Sequence, residues 1–468
     1  MAESKRQTLS PGKDGVVDRI SNLPESLLCH ILSFLPTKDS IATSILSTRW
    51  KLLWTLVPKL DLDSDTINTS ELSAAAAADD DDDDEDDERE IMFAHIVSSV
   101  LAQQECGELQ TFRLQWKFGW DGSHLDAWLR TAAARKVKEL DLDIFMHDCD
   151  VENLKLPPSF FSCRTLVVLK LSGDIDIDID IDTPSLSFNF PSLKILHLLE
   201  ISLPSNINSQ EHSFLRLFSG CPVLEDLSFT TDLFEGEYKL CVPTLKRLSF
   251  SENVYNESAY ELEINAPALE YFNFEGDLRD IKFHEKLDNL VQANVESYVY
   301  EDEHKEFYRE WVFRLFTALS NVKFLSFSPY GTEWHNVGNI YPSSFQNLVQ
   351  LDFNVTDCNW PMLQDLLQNA PNLETLVVTK EYTYDKSNLC WKEPQYDRDY
   401  LSSHLTSFYY GGFEGLKDEE EFVKYILKEA RVLKTATIQV YREKSKENVL
   451  EKLSMFPRRS TTCLLRVE

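Results

Sequence analysis

From Leu109 onward the chain repeats one arrangement: a hydrophobic residue, two variable positions, a second hydrophobic residue, one variable position and a third. Copies start at Leu109, Val137, Leu166, Leu193, Leu224, Leu245, Leu269, Leu290, Val322, Leu348, Leu373, Leu405 and Leu433, with successive starts 21 to 32 residues apart. Positions two apart share one face of a strand, so the last two residues of each copy point inward from a short strand, and the first turns the chain into it. Each unit leaves an apolar edge that only its neighbour can cover. The period and the pattern predict a leucine-rich solenoid stabilised between adjacent repeats. Proline cannot donate to a strand ladder, and Pro191, Pro222, Pro243, Pro267 and Pro371 stand just before their copies, marking where strands begin. The copy at Leu290, "LVQANV", is the poorest match.

Upstream the period changes. In "DRISNLPESLLCHILSFLPTKDSIATSILSTRWKLLW", Asp18 to Trp54, Pro24 suits a first helical turn and Leu27, Leu28, Ile31, Leu32 and Leu35 follow at helical spacing until Pro36. Thr37 is expected to cap a second short helix carrying Ile41 and Ile45, and Ser47 a third carrying Trp50, Leu53 and Trp54. Three helices in about forty residues cannot enclose an ordinary core, so this unit needs a partner or a neighbouring domain over its apolar face. Residues 1–17 read as a flexible tail. The segment "SAAAAADDDDDDEDDERE" before Ile91 is of low complexity, and its dense like charges predict a solvated loop, with binding of a basic tail as the alternative. The stretch "GDIDIDIDIDTP", Gly173 to Pro184, alternates strictly. A calcium site needs ligands folded round one point, whereas a strand spreads its aspartates along a line. We therefore expect an outer strand with Ile175, Ile177, Ile179 and Ile181 facing the core and the aspartates in water.

Composition narrows the function. Of 468 residues 43% are hydrophobic, no run of about 18 apolar residues occurs, and the first fifteen residues are polar, so the expectation is a soluble, unsecreted protein outside the membrane. The nine cysteines (29, 106, 149, 163, 221, 241, 358, 390 and 463) are scattered and never in CxxC spacing, which argues for a reducing compartment and against a zinc module. Asn68, Asn256 and Asn354 match the glycosylation pattern, which without a secretory signal carries little. Net charge is −32, and without the run Asp79–Glu90, which contributes −10, it is still −22. Such a chain is a poor nucleic-acid binder, since that affinity rests on basic side chains displacing counterions. Enzymatic constellations are missing: glycine numbers only 14, no phosphate-binding loop occurs, "HDCD" at His147–Asp150 offers too few ligands for a metal, and "ECG" at Glu105–Gly107 has no placed histidine. No catalytic residue, cofactor or metal is expected.

Taken together these residues resemble the plant F-box proteins that carry leucine-rich repeats and an FBD domain. The Asp18–Trp54 segment follows the family's Leu-Pro, leucine-rich helix, Leu-Pro and Ser-x-x-Trp-x-x-Leu-Trp pattern. The FBD resemblance rests on "LCWKEP" (Leu389–Pro394), "GFEG" (Gly412–Gly415), "EEEFVKYILKEARVLKTATI" (Glu419–Ile438) and "FPRRSTTCLLRV" (Phe456–Val467). Glu429 stands where the family often has Asn, and "YDRDYLSSHL" replaces its usual Pro-x-Cys-Leu stretch. The resemblance implies an α/β chain with a three-helix F-box at 18–64, an acidic linker at 65–92, an irregular repeat solenoid at 93–380 and an FBD domain at 381–468 that continues the array. It implies a non-catalytic substrate receptor of an SCF-type ubiquitin ligase in the nucleus or cytoplasm. The F-box would dock on a Skp-type adaptor, and through it a cullin, by Leu23, Pro24, Leu27, Leu28, Ile31, Leu32, Leu35, Pro36, Ile45, Leu46, Trp50, Leu53 and Trp54. The repeats would hold a target protein, with Val167, Lys194, Glu225, Lys246 and Lys323 as variable positions open to a recognition face. A ligase-independent binding scaffold is the alternative.

Overall fold

The thirteen pattern copies become thirteen strands of one parallel sheet. A computed structural model describes residues 20, 22–66, 82–117, 122–145, 154–177, 189–201, 218–231, 236–252, 260–298, 308–330, 344–356, 359–380, 391–393, 401, 403–441 and 445–468. The sheet has fifteen strands in chain order, from Lys59–Asp63 and Thr111–Trp116 at one end to Thr435–Val440 and Leu464–Val467 at the other. Every adjacent pair is parallel, for example Leu248 beside Phe272 and Phe250 beside Phe274. All three hydrophobic positions of every copy are at most 3% exposed, the copy at Leu290 included. Aromatic members pack ring to ring from repeat to repeat, with Phe250 4.6 Å from Phe229 and 5.7 Å from Phe274.

One backbone device sets the register. The carbonyl of Lys194 accepts the N–H groups of both Glu225 and Asp226 (2.9 Å each), that of Glu225 accepts Lys246 (2.8 Å) and Arg247 (3.0 Å), and that of Lys246 accepts Glu270 (2.8 Å) and Tyr271 (3.0 Å). The same forked bond recurs from Lys138 to Thr406. Each repeat thus leaves one carbonyl pair-bonded to the next strand's first two amides, which a parallel ladder needs to stay in step.

Two strands of this sheet carry no copy identified from the sequence. Lys59–Asp63 lies within the expected F-box segment, where "VPKLDL" supplies Val57, Leu60 and Leu62, all buried. Leu464–Val467 closes the other end with half-buried Leu465 and Val467 and has no leading leucine to reveal it. The connections on the far side of the sheet hold helices Asp82–Gln103, Gly122–Ala134, Tyr308–Ala318, Trp360–Gln368, Lys417–Glu429 and Lys446–Ser454. They also hold two small sheets, Leu154–Lys155 with Ile175–Asp176, and the parallel trio Gly236–Cys241, Tyr260–Asn265 and Ile281–Phe283.

Three local expectations change. The acidic run was expected to be loop, yet its backbone is helical from Asp82, because the helix is anchored further on by buried Phe93, Ala94, Val97, Val100 and Leu101 at helical spacing. Pro36, and not Thr37, occupies the cap position of the second F-box helix, Thr37–Ala42. Thr37 is buried, and its Oγ1 instead accepts the N–H of Asp61 (2.7 Å), fastening that helix to the first strand. The third F-box segment is a 3₁₀ helix, Trp50–Leu56. The alternating stretch forms the short strand Ile175–Asp176 on Leu154–Lys155, with Ile175 and Ile177 buried and Asp174 and Asp176 half-buried. Ile179 and Ile181 lie outside the described residues, as do residues 1–17 and 67–81.

Candidate functional site

The helix Glu25–Leu32 is apolar on two sides. Leu28 and Leu32, four apart, face inward, where with Trp50, Leu53 and Val57 they form a five-residue core separate from that of the array. Leu27, Ile31 and Phe34, spaced four and three apart, turn the other way and are exposed. A helix that buries one stripe and leaves another apolar stripe in solvent is incompletely covered by its own chain.

The thirteen positions expected to face an adaptor therefore divide. Leu28, Leu32, Trp50, Leu53 and Trp54 are buried within the chain, so they shape the unit and offer no surface; Trp54 belongs to the array's core. Leu23 and Leu35 are half-buried, and Pro24, Leu27, Ile31, Pro36, Ile45 and Leu46 are exposed. Ile20, Phe34, Leu52 and Leu56, not singled out from the sequence, are exposed too. Phe34 extends the Leu27–Ile31 spacing, and Leu52 and Leu56 are four apart, which was the signal available. Of the 21 exposed large hydrophobic residues among those described, eight fall between Ile20 and Leu56, with Ile45 at 89% the most open. That density sets this unit apart from the rest of the surface.

The unit is tied to the array by backbone. Thr55 O accepts the N–H groups of Glu105 (2.9 Å) and Cys106 (3.1 Å), and Pro58 O accepts Gln110 (2.7 Å) and Thr111 (3.2 Å). The Gln104 side chain donates to Val57 O.

The solvent-facing row of the long sheet changes character along its length. In register it reads Asp61, Arg113, Asp141, Lys170, His197, then Ser228, Ser249, Asn273, Asn294, Ser326, then Asp352, Val377, Tyr409, Thr437, Arg466. The first section alternates in sign, with Arg113 Nε 3.6 Å from Asp141, as cross-strand neighbours prefer. Burial raises the Asp141 carboxyl, opposed by Arg113 and Lys170. The middle section of this row is uncharged and knitted together: Asn273 donates to Ser249 Oγ (3.0 Å) and Asn294 to the Tyr271 hydroxyl (3.0 Å), while in the neighbouring row the charged Arg247 lies 4.5 Å over the Tyr271 ring. Tyr298 and Tyr330 stack at 5.1 Å beside it. Hydroxyls, amides and aromatic faces in one strip suit an extended polypeptide, which offers the same groups in return.

Of the variable positions, Lys194, Glu225 and Lys246 stand at strand starts and pair with one another, Glu225 accepting from both lysines at 2.9 Å. They form an ion ladder along one edge of the face. Val167 is half-buried, and its carbonyl, like those of Lys194, Glu225, Lys246 and Lys323, serves the register device.

The remaining candidates are the cysteine of "ECG", the "HDCD" segment and the three glycosylation matches. Cys106 Sγ donates to Glu108 O (2.9 Å). "HDCD" lies outside the described residues, and among the described residues no group of three His, Cys, Asp or Glu is placed to hold a metal. Asn354 is buried in a strand, so the folded protein does not offer it for glycosylation; Asn68 and Asn256 lie outside the described residues.

Comparison with known proteins places the same segments in context. Residues 20–62 match the F-box domain model, residues 125–288 the model described as "FBD-associated F-box protein At5g56370, LRR repeats", and residues 398–438 the FBD model. The Arabidopsis thaliana F-box/FBD/LRR-repeat protein At4g00160 is 32% identical over 467 residues, covering 96% of this chain and 91% of that protein. A second Arabidopsis protein, F-box/FBD/LRR-repeat protein At3g52680, is 31% identical over 486 residues, covering 99% of this chain and 95% of its own.

Proposed function

The chain belongs to the plant family of F-box proteins with leucine-rich repeats and an FBD domain, and from that premise we propose that this protein-interaction adaptor is the target-recognition subunit of an SCF-type ubiquitin ligase. The observation that carries the reading is the apolar surface left open by the F-box unit, centred on Leu27, Ile31, Phe34, Ile45, Leu46 and Leu52. Covering each such side chain is worth about 1.5–3 kcal/mol, and a few at the centre dominate an interface. A Skp-type adaptor is the proposed cover, with a cullin beyond it.

The target is proposed to lie along the uncharged strip from Ser228 to Ser326. The protein itself would perform no bond-breaking step; it would raise the effective concentration of the target near the ubiquitin-loaded enzyme. The proposed setting is the nucleus or cytoplasm.

The test separates docking from folding. Ile45→Asp with Leu46→Asp changes two exposed residues, so the double variant should keep its unfolding midpoint while losing co-purification with the adaptor. Undiminished adaptor recovery would reject the reading. Leu28→Asp is unsuitable for this purpose, since Leu28 is fully buried. If an adaptor-deficient variant still holds a partner whose half-life is the same with or without the wild-type protein, the ligase-independent scaffold is favoured.

A further inference from the structure

The outer trio of strands ends at an edge with no strand paired to it among the described residues. Strand Ile281–Phe283 pairs with Tyr260–Asn265 on one side only. His284 N–H reaches Ile264 O (2.9 Å), so Lys282 and His284 spend their backbone groups on that partner. Alternate residues of a parallel strand point their amides opposite ways, which turns the N–H and C=O of Ile281, Phe283 and Glu285 outward. The preceding repeats place a strand at the corresponding point. The next repeat instead supplies the helix Tyr308–Ala318, and between strand edge and helix lies a cavity of about 530 Å³.

The walls of that cavity have a definite chemistry. Leu278, Ile281, Phe283, Trp311, Leu315 and Ala318 give it an apolar interior, and Leu287 N–H, donating to Ala318 O (3.4 Å), ties the segment after the strand to the end of the helix. Its ionisable lining is Lys282, His284, Lys286 and Arg314 against the single acid Glu285, in a chain whose net charge is −32. The surrounding acids hold these cations only at the surface: Glu261 pairs with Lys282, Glu263 with His284 (2.6 Å) and Lys239 (3.1 Å), and Glu310 with Arg314 on its own helix. Exposed pairs of this kind are weak and readily exchanged. Lys286 is exposed and has no ion pair among the described residues.

We propose that this cavity is a peptide site, in which an extended segment alternating apolar and acidic residues adds as a fourth strand beside Ile281–Phe283. Its backbone would satisfy the outward amides, its apolar side chains would enter the cavity, and its carboxylates would meet Lys286 and Arg314. Strand addition draws affinity from main-chain bonds and selectivity from the pockets for alternate side chains. Unpaired edges are the natural template for it. The site lies apart from the F-box surface and from the uncharged strip, so it stands or falls independently of the ligase reading.

The probe is a fluorescein-labelled hexapeptide, Asp-Ile-Asp-Ile-Asp-Ile, titrated with the full-length protein. Saturable binding is expected, weakened by at least about ten-fold when lysine replaces each aspartate, when every second peptide amide is N-methylated, or when the protein carries Lys286→Glu with Arg314→Glu. Both substituted residues are exposed, and an unchanged circular dichroism spectrum and unfolding midpoint check that the variant is folded. Equal binding of the lysine peptide, indifference to N-methylation, full affinity in the double variant or no binding at all would each overturn the proposal. Self-association of the protein that the double variant abolishes, without binding of the free peptide, would assign the edge to a second copy of this chain and likewise overturn it.

Discussion

At the scale of single residues, the repeat array is most sensitive where one backbone crosses another. Gly173 has φ +90°, and a Cβ there would stand 2.0 Å from the Ile144 carbonyl oxygen, the same oxygen that accepts the Asp174 N–H at 2.7 Å. Gly173→Ala combines a left-handed backbone with a collision against main chain that cannot step aside. A loss of about 1–3 kcal/mol or more is expected, whereas Gly107→Ala, with open space around the added carbon, should stay within about 0.5 kcal/mol. Urea unfolding followed by tryptophan fluorescence distinguishes them, and equal midpoints would refute the steric account. Charge acts more gently at Glu225. Hydrogen bonds from Lys246 and Lys194 pull its carboxyl down to about 2. A pKa depressed in the folded state means that the pairing stabilises above the ordinary carboxylate range, near pH 4.5, and is lost as pH falls toward about 2. Glu225→Gln should therefore lower the midpoint at pH 7, by a difference that shrinks below the ordinary carboxylate range and vanishes only once the pH has fallen through about 2. Because the ladder is exposed, added salt should shrink the neutral-pH difference, and a difference as large near pH 2 as at pH 7 would contradict the pairing.

At the scale of elements, the F-box helix offers two adjacent residues with opposite duties. Leu28 is fully buried and Leu27 is half in solvent. Leu28→Asp places an unpaired carboxylate in a core of five residues and should cost about 4 kcal/mol or more, while Leu27→Asp should change stability by about 0.5 kcal/mol at most. Limited proteolysis between residues 20 and 57 reads this directly: rapid cleavage is expected for the first variant and wild-type resistance for the second. Legibility from sequence followed the same divide. The strand triplets could be read because all three of their hydrophobic positions are buried at fixed spacing, even in "LVQANV". The connections could not, since their lengths vary and their structure depends on what the sheet leaves to be covered. Hence the acidic run's continuation into a helix anchored by Phe93 and Val97, and the outer strands Gly236–Cys241, Tyr260–Asn265 and Ile281–Phe283, went unseen. On the F-box unit the apolar surplus was legible, but its partition was not. Leu27 and Leu28 are the same residue in a sequence, and only the position of Trp50, Leu53 and Val57 makes one of them core. The cavity beside Ile281–Phe283 needed two segments about thirty residues apart, and no spacing rule joins them.

At the scale of the whole molecule, fifteen parallel strands in chain order mean that each repeat touches chiefly the repeats before and after it. Stability in such an array is a sum of local and nearest-neighbour contributions, and damage spreads outward from where it is done. Phe250 is the clearest place to do it: it is fully buried, stacks on Phe229 in the previous strand and packs at a tilt on Phe274 in the next. Phe250→Ala removes both ring contacts and leaves a cavity, at a cost of about 3–5 kcal/mol. In a chain that unfolded as one unit, that cost would appear equally at every amide that opens globally. In a nearest-neighbour array it concentrates. Hydrogen exchange read by mass spectrometry should show protection falling first in Asp226–Thr231, Arg247–Glu252 and Tyr271–Gly276, with Thr111–Trp116 and Thr435–Val440 close to wild type. Uniform loss along the sheet would instead show that the forked carbonyl bonds and the continuous core couple all fifteen strands, so that a target on the proposed middle strip would be felt at the F-box. A graded loss leaves the two ends energetically separate, so that adaptor and target would bind without altering one another's affinity.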